Sequence, residues 1–353
     1  MNVLVFQFDG KKPNLADMKI VAWHRRAGDL VDLRQIEKPE DLQPRLGDPD
    51  WDRVYGSLIF ERTKPIAELA RRIYPHIELG GTGWDLENGV MVRSTPLPPE
   101  IDAMAPDYSD YALNGPLVDA VTYSIGFTQR GCRLDCPFCV VPVKEGRPRS
   151  EATLERIWRG PGYAPHVMLL DNDFFGNPEW PEVIATAKRL DLTLSVIQGI
   201  NARMLARKHA EAIASVRWFD DSFQRTRVYT AWDDIGDERA FFRGLDNLKA
   251  VGIAPDSIMV YMLIGHAEGE THGDRDYRRR KLRDYGCRPY PMAFTREGEL
   301  GRELTKFASW VVQRVDLYKS WEEYYGRAGG EVRKLGPRRV SLPLFSEASD
   351  GGQ

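Results

Sequence analysis

Gly131-Cys132-Arg133-Leu134-Asp135-Cys136-Pro137-Phe138-Cys139 sets three cysteines at C-x-x-x-C-x-x-C spacing, shortly after the strand-like segment Ala120 to Gly126. The spacing predicts a loop of three clustered thiolates at a strand end. Soft thiolates favour iron–sulfur clusters, and three protein ligands on a four-iron cube leave one iron open. The competing reading is a structural zinc site made of the same triad and Cys287, the only other cysteine. Zinc sites of that kind are usually built from two short C-x-x-C knuckles, whereas here the fourth thiol lies far along the chain. Cys287, in Tyr285-Gly286-Cys287-Arg288-Pro289, falls between a helical stretch and an apolar strand. It is expected to be a buried bystander, and no disulfide is expected.

Working outward from the loop, strand-like and helix-like segments alternate about six times. Strands are expected at Ala120 to Gly126, Val167 to Leu170, Leu192 to Ile197, Val228 to Ala231, Ile258 to Ile264 and Arg288 to Phe294. Helices are expected between them at Glu151 to Arg159, Glu179 to Arg189, Arg203 to Ser215, Glu238 to Val251 and Arg275 to Tyr285. Nearly continuous apolar strands alternating with amphipathic helices predict a parallel sheet buried on both faces, here a partial (β/α)6 barrel of TIM type.

The first 95 residues show a smaller version of the same rhythm. Strand Val3 to Phe6, a helix capped by Asn14 and ending near Gly28, strand Arg53 to Phe60, helix Pro65 to Tyr74 and strand Ile77 to Leu79 predict a small doubly wound, Rossmann-like α/β domain. Residues 96–118, rich in proline and acid, read as a linker, residues 119–300 as the barrel, and 301–353 as a helix ending in Trp321 to Tyr325 with an extended tail.

A chain of 353 residues with net charge −3 has ample material for two cores and no bulk bias towards nucleic acid or membrane. The N-terminus lacks a signal-peptide pattern and no apolar run approaches spanning length. Together with few, clustered cysteines, this leads to the expectation of a cytoplasmic protein with no membrane partner.

The triad, with aromatic Phe138 directly before its last cysteine, resembles the cluster loop of the radical S-adenosylmethionine enzymes, and the resemblance extends over roughly the C-terminal two thirds of the chain. It implies a 4Fe-4S cluster on Cys132, Cys136 and Cys139, with S-adenosylmethionine chelating the open iron through its amino and carboxylate groups. One electron, from a low-potential donor such as flavodoxin or ferredoxin, would split the sulfonium. The resulting 5′-deoxyadenosyl radical would abstract hydrogen from an unidentified small molecule or peptide.

Residues just past each strand are the candidates for the rest of that site. Asn172 and Asp173 occupy the place where the family often carries Gly-Gly-Glu for the amino group. They can equally form a helix-capping turn. Gln198 and Arg203 follow the next strand, and Arg203 either clamps the methionine carboxylate or starts a helix facing solvent. Asp233 suits ribose hydroxyls or an amine, or caps a helix. The resemblance places Phe138 and Gly265 near the adenine, with His266 on the same rim; the other histidines receive no role.

A doubly wound domain ahead of such a barrel resembles the cobalamin-binding arrangement of one branch of the family, with Gly80-Gly81-Thr82-Gly83 as a turn approaching a bulky ligand. That fold usually offers Asp-x-His-x-x-Gly after its first strand. Here Asp9-Gly10-Lys11-Lys12-Pro13 carries no histidine, and His24 falls on the next helix. The expectation is a domain without histidine-ligated cobalamin, acting as a lid or docking module; a cobalamin-dependent methyltransferase lacking that ligand is an alternative. Arg275, Arg278, Arg279, Arg280, Lys281, Arg283 and Arg288, with Arg333, Lys334, Arg338 and Arg339, form basic clusters that suggest RNA modification as a further alternative. Interspersed Asp274, Asp276 and Asp284 favour a solvated helix face instead. A non-catalytic metal-binding protein using the triad as a staple is the reading from a different class.

Overall fold

The computed structural model describes residues 1–9, 12–113 and 122–325. The chain is a mixed α/β structure of parallel sheets covered by helices. Its strands in chain order are β1 Asn2–Gln7, β2 Leu30–Gln35, β3 Arg53–Ser57, β4 Glu78–Gly80, β5 Leu86–Glu87, β6 Val90–Met91, β7 Ser124–Gly126, β8 Gln129–Arg130, β9 Arg149–Ser150, β10 His166–Leu169, β11 Thr193–Val196, β12 Arg217–Trp218, β13 Val228–Ala231, β14 Ile258–Ile264 and β15 Arg288–Ala293.

The first four strands form a parallel sheet in the order β2-β1-β3-β4. β1 is an interior strand, which is why Val3 to Phe6 is an unbroken apolar run. The following helix, Leu15–Arg26, starts as expected at Asn14, whose Oδ1 accepts from Ala16 N at 3.0 Å. β2, absent from the expected elements, is an edge strand with only two fully buried positions, too polar to stand out.

Two further parallel sheets, β12-β11-β10-β7 and β13-β14-β15, are linked by a parallel bridge between Ile200 and Thr230. The array thus runs β7, β10, β11, β13, β14, β15, with β12 beside β11. Side chains divide by the two-residue period. Val167, Leu169, Leu194, Val196, Val260, Met262 and Ile264 pack under the outer helices. Ile125, Met168, Ile197, Tyr229, Tyr261 and Tyr290 face the other way, into a core that also holds Val3, Val5, Met18, Val21 and Leu33. The N-terminal sheet and its helix therefore share a core with the inner face of the second array.

Residues 96–113 differ from the expected linker. They contain short helices, Pro99–Asp102 and Ser109–Leu113, clamped to the first helix by Lys19–Asp102 at 2.6 Å and by Arg25 to Asp107 and Asp110, each at 2.8 Å. The acidic residues that marked this stretch as a linker are the ones that dock it. Elsewhere the expected helices shorten: Glu151 to Arg159 forms only Leu154–Ile157, and Arg203 to Ser215 splits into a 3-10 turn, Ala202–Met204, and a helix, Arg207–Ala214. The tail beyond residue 325 lies outside the described residues. No helix among the described residues is long and apolar enough to cross a membrane.

Candidate metal centre

Because the strands of the array are parallel, the loops after β7, β10, β11, β13 and β14 emerge on one rim. The cysteine loop follows β7 and is closed at its base by a short antiparallel ladder of β8 and β9, with Cys132 N donating to Gly146 O at 3.1 Å. Two of the sulfurs meet an N–H donor: Leu134 N to Cys132 Sγ at 3.4 Å and Arg203 Nη2 to Cys136 Sγ at 3.8 Å. Burial raises the Cys132 thiol to about 11 and pushes Cys139 up as well. Such thiols are poor free nucleophiles. A metal would have to displace their protons.

Among the described residues, no three His, Cys, Asp or Glu side chains converge closely enough to hold one metal ion. Cys287 sits at the opposite rim. It is buried in the outer core just before β15, whose Arg288 pairs with Met259 near the start of β14, whereas the cysteine-loop rim lies at the other end of that strand. A seven-residue strand at about 3.3 Å per residue separates the two ends by roughly 20 Å. The triad and Cys287 therefore cannot share a tetrahedral site, and the expectation of a buried bystander holds.

The loop is anchored from below by the end of β10. Asp171, fully buried, accepts from Thr128 N at 2.7 Å, from Thr128 Oγ1, and from Gln129 N at 3.2 Å. Burial raises its carboxyl to about 7. Gln129 links onward, accepting from Asp173 N at 2.9 Å and donating to Gly131 O at 2.5 Å. Asp173 grips Arg133 bidentately, at 2.6 Å to Nε and 2.8 Å to Nη2. Asn172 donates to Glu145 at 2.6 Å.

The sequence leaves Asp173 as either an acceptor for a ligand's ammonium or part of a capping turn; both its oxygens are held by Arg133. It positions the cysteine loop instead. Asp173→Ala is expected to cost about 1–3 kcal/mol, the usual penalty for stranding a partly buried hydrogen-bonded charge, and to lower iron retention on gel filtration together with the melting temperature. Wild-type values of both would return Asp173 to a ligand-facing role. Asp171 and Gln129 were not singled out as site residues; an aspartate at a strand end carries no signal that separates clamp from ligand.

Arg203 neither faces solvent nor stands free for a carboxylate. Its Nη1 donates to Asp237, its Nε lies 3.4 Å from Asn201 Oδ1, and its Nη2 points at Cys136. Gln198 is half-buried on the turn after β11. Asp233 accepts from Leu263 N at 2.7 Å; burial raises its carboxyl, opposed by that bond and by Arg278, His266 and Arg203. Phe138 and His266 meet edge-to-face with centroids 4.6 Å apart, and His266 Nδ1 is buried without a partner. Gly265 has φ +80°, and a Cβ there would lie 2.3 Å from Leu304 Cδ1, so the turn excludes any other residue. The rim thus gathers Cys139, Phe138, Arg203, Asp233 and His266.

Two other stretches singled out in the sequence are engaged in packing within the chain. The glycines of the turn after β4 approach the chain itself: a Cβ on Gly81 would meet Leu58 O at 2.3 Å, and one on Gly83 would meet Phe60 O at 2.4 Å. Gly81 and Gly83 are small because the loop after β3 packs directly on them. Of its charged residues, the basic helix His272–Tyr285 exposes only Arg280, Lys281 and Asp284: Arg275 and Arg278 are buried, Arg279 and Arg283 both bind Asp316, Arg280 binds Asp276 and Lys281 binds Glu238. An RNA phosphate would have to displace these carboxylates. The second basic cluster lies outside the described residues. His24 is also committed, with Nδ1 2.7 Å from Asp29 and Nε2 3.1 Å from the Tyr55 hydroxyl, which leaves no imidazole nitrogen for cobalt.

A scan against protein-family models gives no match, and no curated protein matches the sequence. Among solved structures, a chain described as a mutation variant of SsGBP is 10% identical and covers 91% of this chain and 100% of its own, at a TM-score of 0.17. That likeness is too slight to speak for fold or function.

Proposed function

We propose that this chain is a radical S-adenosylmethionine enzyme, its array β7 to β15 serving as the partial (β/α)6 barrel and its first sheet as a Rossmann-like accessory domain. The observation that carries the reading is the donor set: three thiols on one rim loop, two of their sulfurs met by an N–H, with no fourth protein thiol within reach. N–H donors stabilise thiolate sulfur and suit a cluster that leaves one iron for a non-protein ligand. When bound, a four-iron cluster supplies the electron that cleaves S-adenosylmethionine to a carbon radical.

The chain's own part is holding and shielding. Asp171, Gln129, Asp173 and Arg133 fix the loop from below. Phe138 and His266 wall one side, where an adenine ring would find an aromatic edge and the unpartnered Nδ1. Asp233 offers a carboxylate for hydroxyl or ammonium groups in a desolvated setting. The substrate class consistent with this rim is a small molecule or peptide, and the reductant a low-potential one-electron donor in the cytoplasm.

Anaerobic reconstitution with iron and sulfide, followed by paramagnetic spectroscopy of the reduced protein with and without S-adenosylmethionine, tests the reading. The expected result is a four-iron signal that changes on addition, with 5′-deoxyadenosine formed under dithionite. Tight zinc binding with no such signal overturns it.

A further inference from the structure

Among the described residues Arg203 is the one side chain that donates to a triad sulfur, and contacts to Asn201 and Asp237 fix it there. Asn201 and Asp237 hold its Nε and Nη1, leaving Nη2 on Cys136 Sγ at 3.8 Å. Its 3-10 turn, Ala202–Met204, packs on the helix Glu238–Lys249 so closely that a Cβ on Gly244 would lie 2.0 Å from Ala202 O. Asp237 immediately precedes that helix, so the contact sets guanidinium and carboxylate together. An arginine intended for a substrate carboxylate would present a free fork. This one presents its charge to sulfur.

We infer that Arg203 sets the reduction potential of the cluster, with Asp237 as the counterweight that limits its effect. The inference rests on the cluster reading proposed above. A cluster held by three thiolates gains one negative charge when it takes one electron from a low-potential donor. A fixed guanidinium beside one thiolate favours the more negative state and so raises the potential, as hydrogen bonds and net charge at the sulfurs do generally. Asp237 partly cancels that charge.

The two residues therefore act with opposite sign, which no purely structural role produces. Arg203→Met is expected to shift the midpoint to more negative potential, Arg203→Lys to shift it less in the same direction, and Asp237→Asn, which keeps an acceptor but removes the charge, to shift it to more positive potential. The measurement is a mediated dithionite titration of the reconstituted full chain, followed by paramagnetic spectroscopy, with iron content determined for every variant. A midpoint in iron-replete Arg203→Met or Arg203→Lys equal to wild type overturns the assignment, as does a negative shift in Asp237→Asn. If wild type itself assembles no four-iron cluster, the functional reading fails and this inference falls with it; if wild type assembles one and the midpoints coincide, only the inference is lost.

Discussion

Replacing Cys132, Cys136 or Cys139 singly by alanine is expected to abolish the four-iron cluster and all reductive cleavage of S-adenosylmethionine, while Cys287→Ala leaves both intact. Two thiolates cannot hold a cube that three are built to hold, and no other thiol stands within reach to replace a missing one. Cys287 lies behind the outer core at the far rim, about the length of β14 away. Its thiol is pushed up to about 12 by burial alone, with no cation or N–H to favour the thiolate. Iron and sulfide analysis with paramagnetic spectra of the four variants decides the matter. Loss of the cluster in Cys287→Ala, beside normal iron in any triad variant, would reverse the assignment. A modest loss of stability in Cys287→Ala is expected, since it trims a packed core position.

The strands that frame the site could be read from the chain because their pattern is local. Val228–Ala231 and Ile258–Ile264 fall where the apolar runs placed them, and Thr193–Val196 and Arg288–Ala293 lie within one residue of the expected ends. Burial on both faces of a parallel sheet writes a continuous apolar run, and that signal needs no tertiary knowledge. The cysteine spacing is legible for the same reason.

What the sequence hid is partner choice. Asp173, Arg203 and Arg278 owe their roles to partners that no local pattern names, from 8 positions away for Arg278 and Glu270 to 67 for Arg203 and Cys136. Arg203 finds Asp237 and Cys136, and Asp173 finds Arg133. The glycines of residues 80–83 illustrate the same limit, because a glycine at a strand end announces a close approach without saying what approaches. The helix Gly298–Val312 brings Leu304 against Gly265, a contact no periodicity could reveal. The interspersed acids were a true signal that the basic helix is not poised for phosphate, but the sequence did not show that Asp316 and Glu238 of neighbouring segments join Asp276 in pairing its cations.

Arg278→Met should be the most damaging single change outside the cysteine loop. The guanidinium is buried, and its Nη1 donates at 3.1 Å to each of three carbonyls: Trp232 and Asp233 just after β13, and Leu263 near the end of β14. Its Nη2 binds Glu270, which in turn accepts from Gly265 N. One side chain thus ties two strand ends to the turn that carries Gly265 and His266. Methionine fills the volume but takes the nearest cation from buried Glu270, which keeps only Gly265 N and Arg275 Nη1 at 3.9 Å, and removes this donor from three carbonyls; breaking a buried pair on one side costs about 3–5 kcal/mol. That is a large part of a typical domain's total stability of about 5–15 kcal/mol. The expected results are a melting temperature many degrees lower and loss of the cluster environment at Asp233 and His266. Because much of the cost comes from a buried carboxylate left with only a distant cation, Arg278→Met/Glu270→Gln should recover part of the lost stability. The three carbonyls would still lack their donor, so recovery should stop short of wild type. Denaturant midpoints for wild type, Arg278→Met, Glu270→Gln and the double variant give the coupling directly. A double variant no more stable than Arg278→Met would show that the carbonyls, not the ion pair, are what this arginine serves, and would make Glu270 a bystander to the clamp.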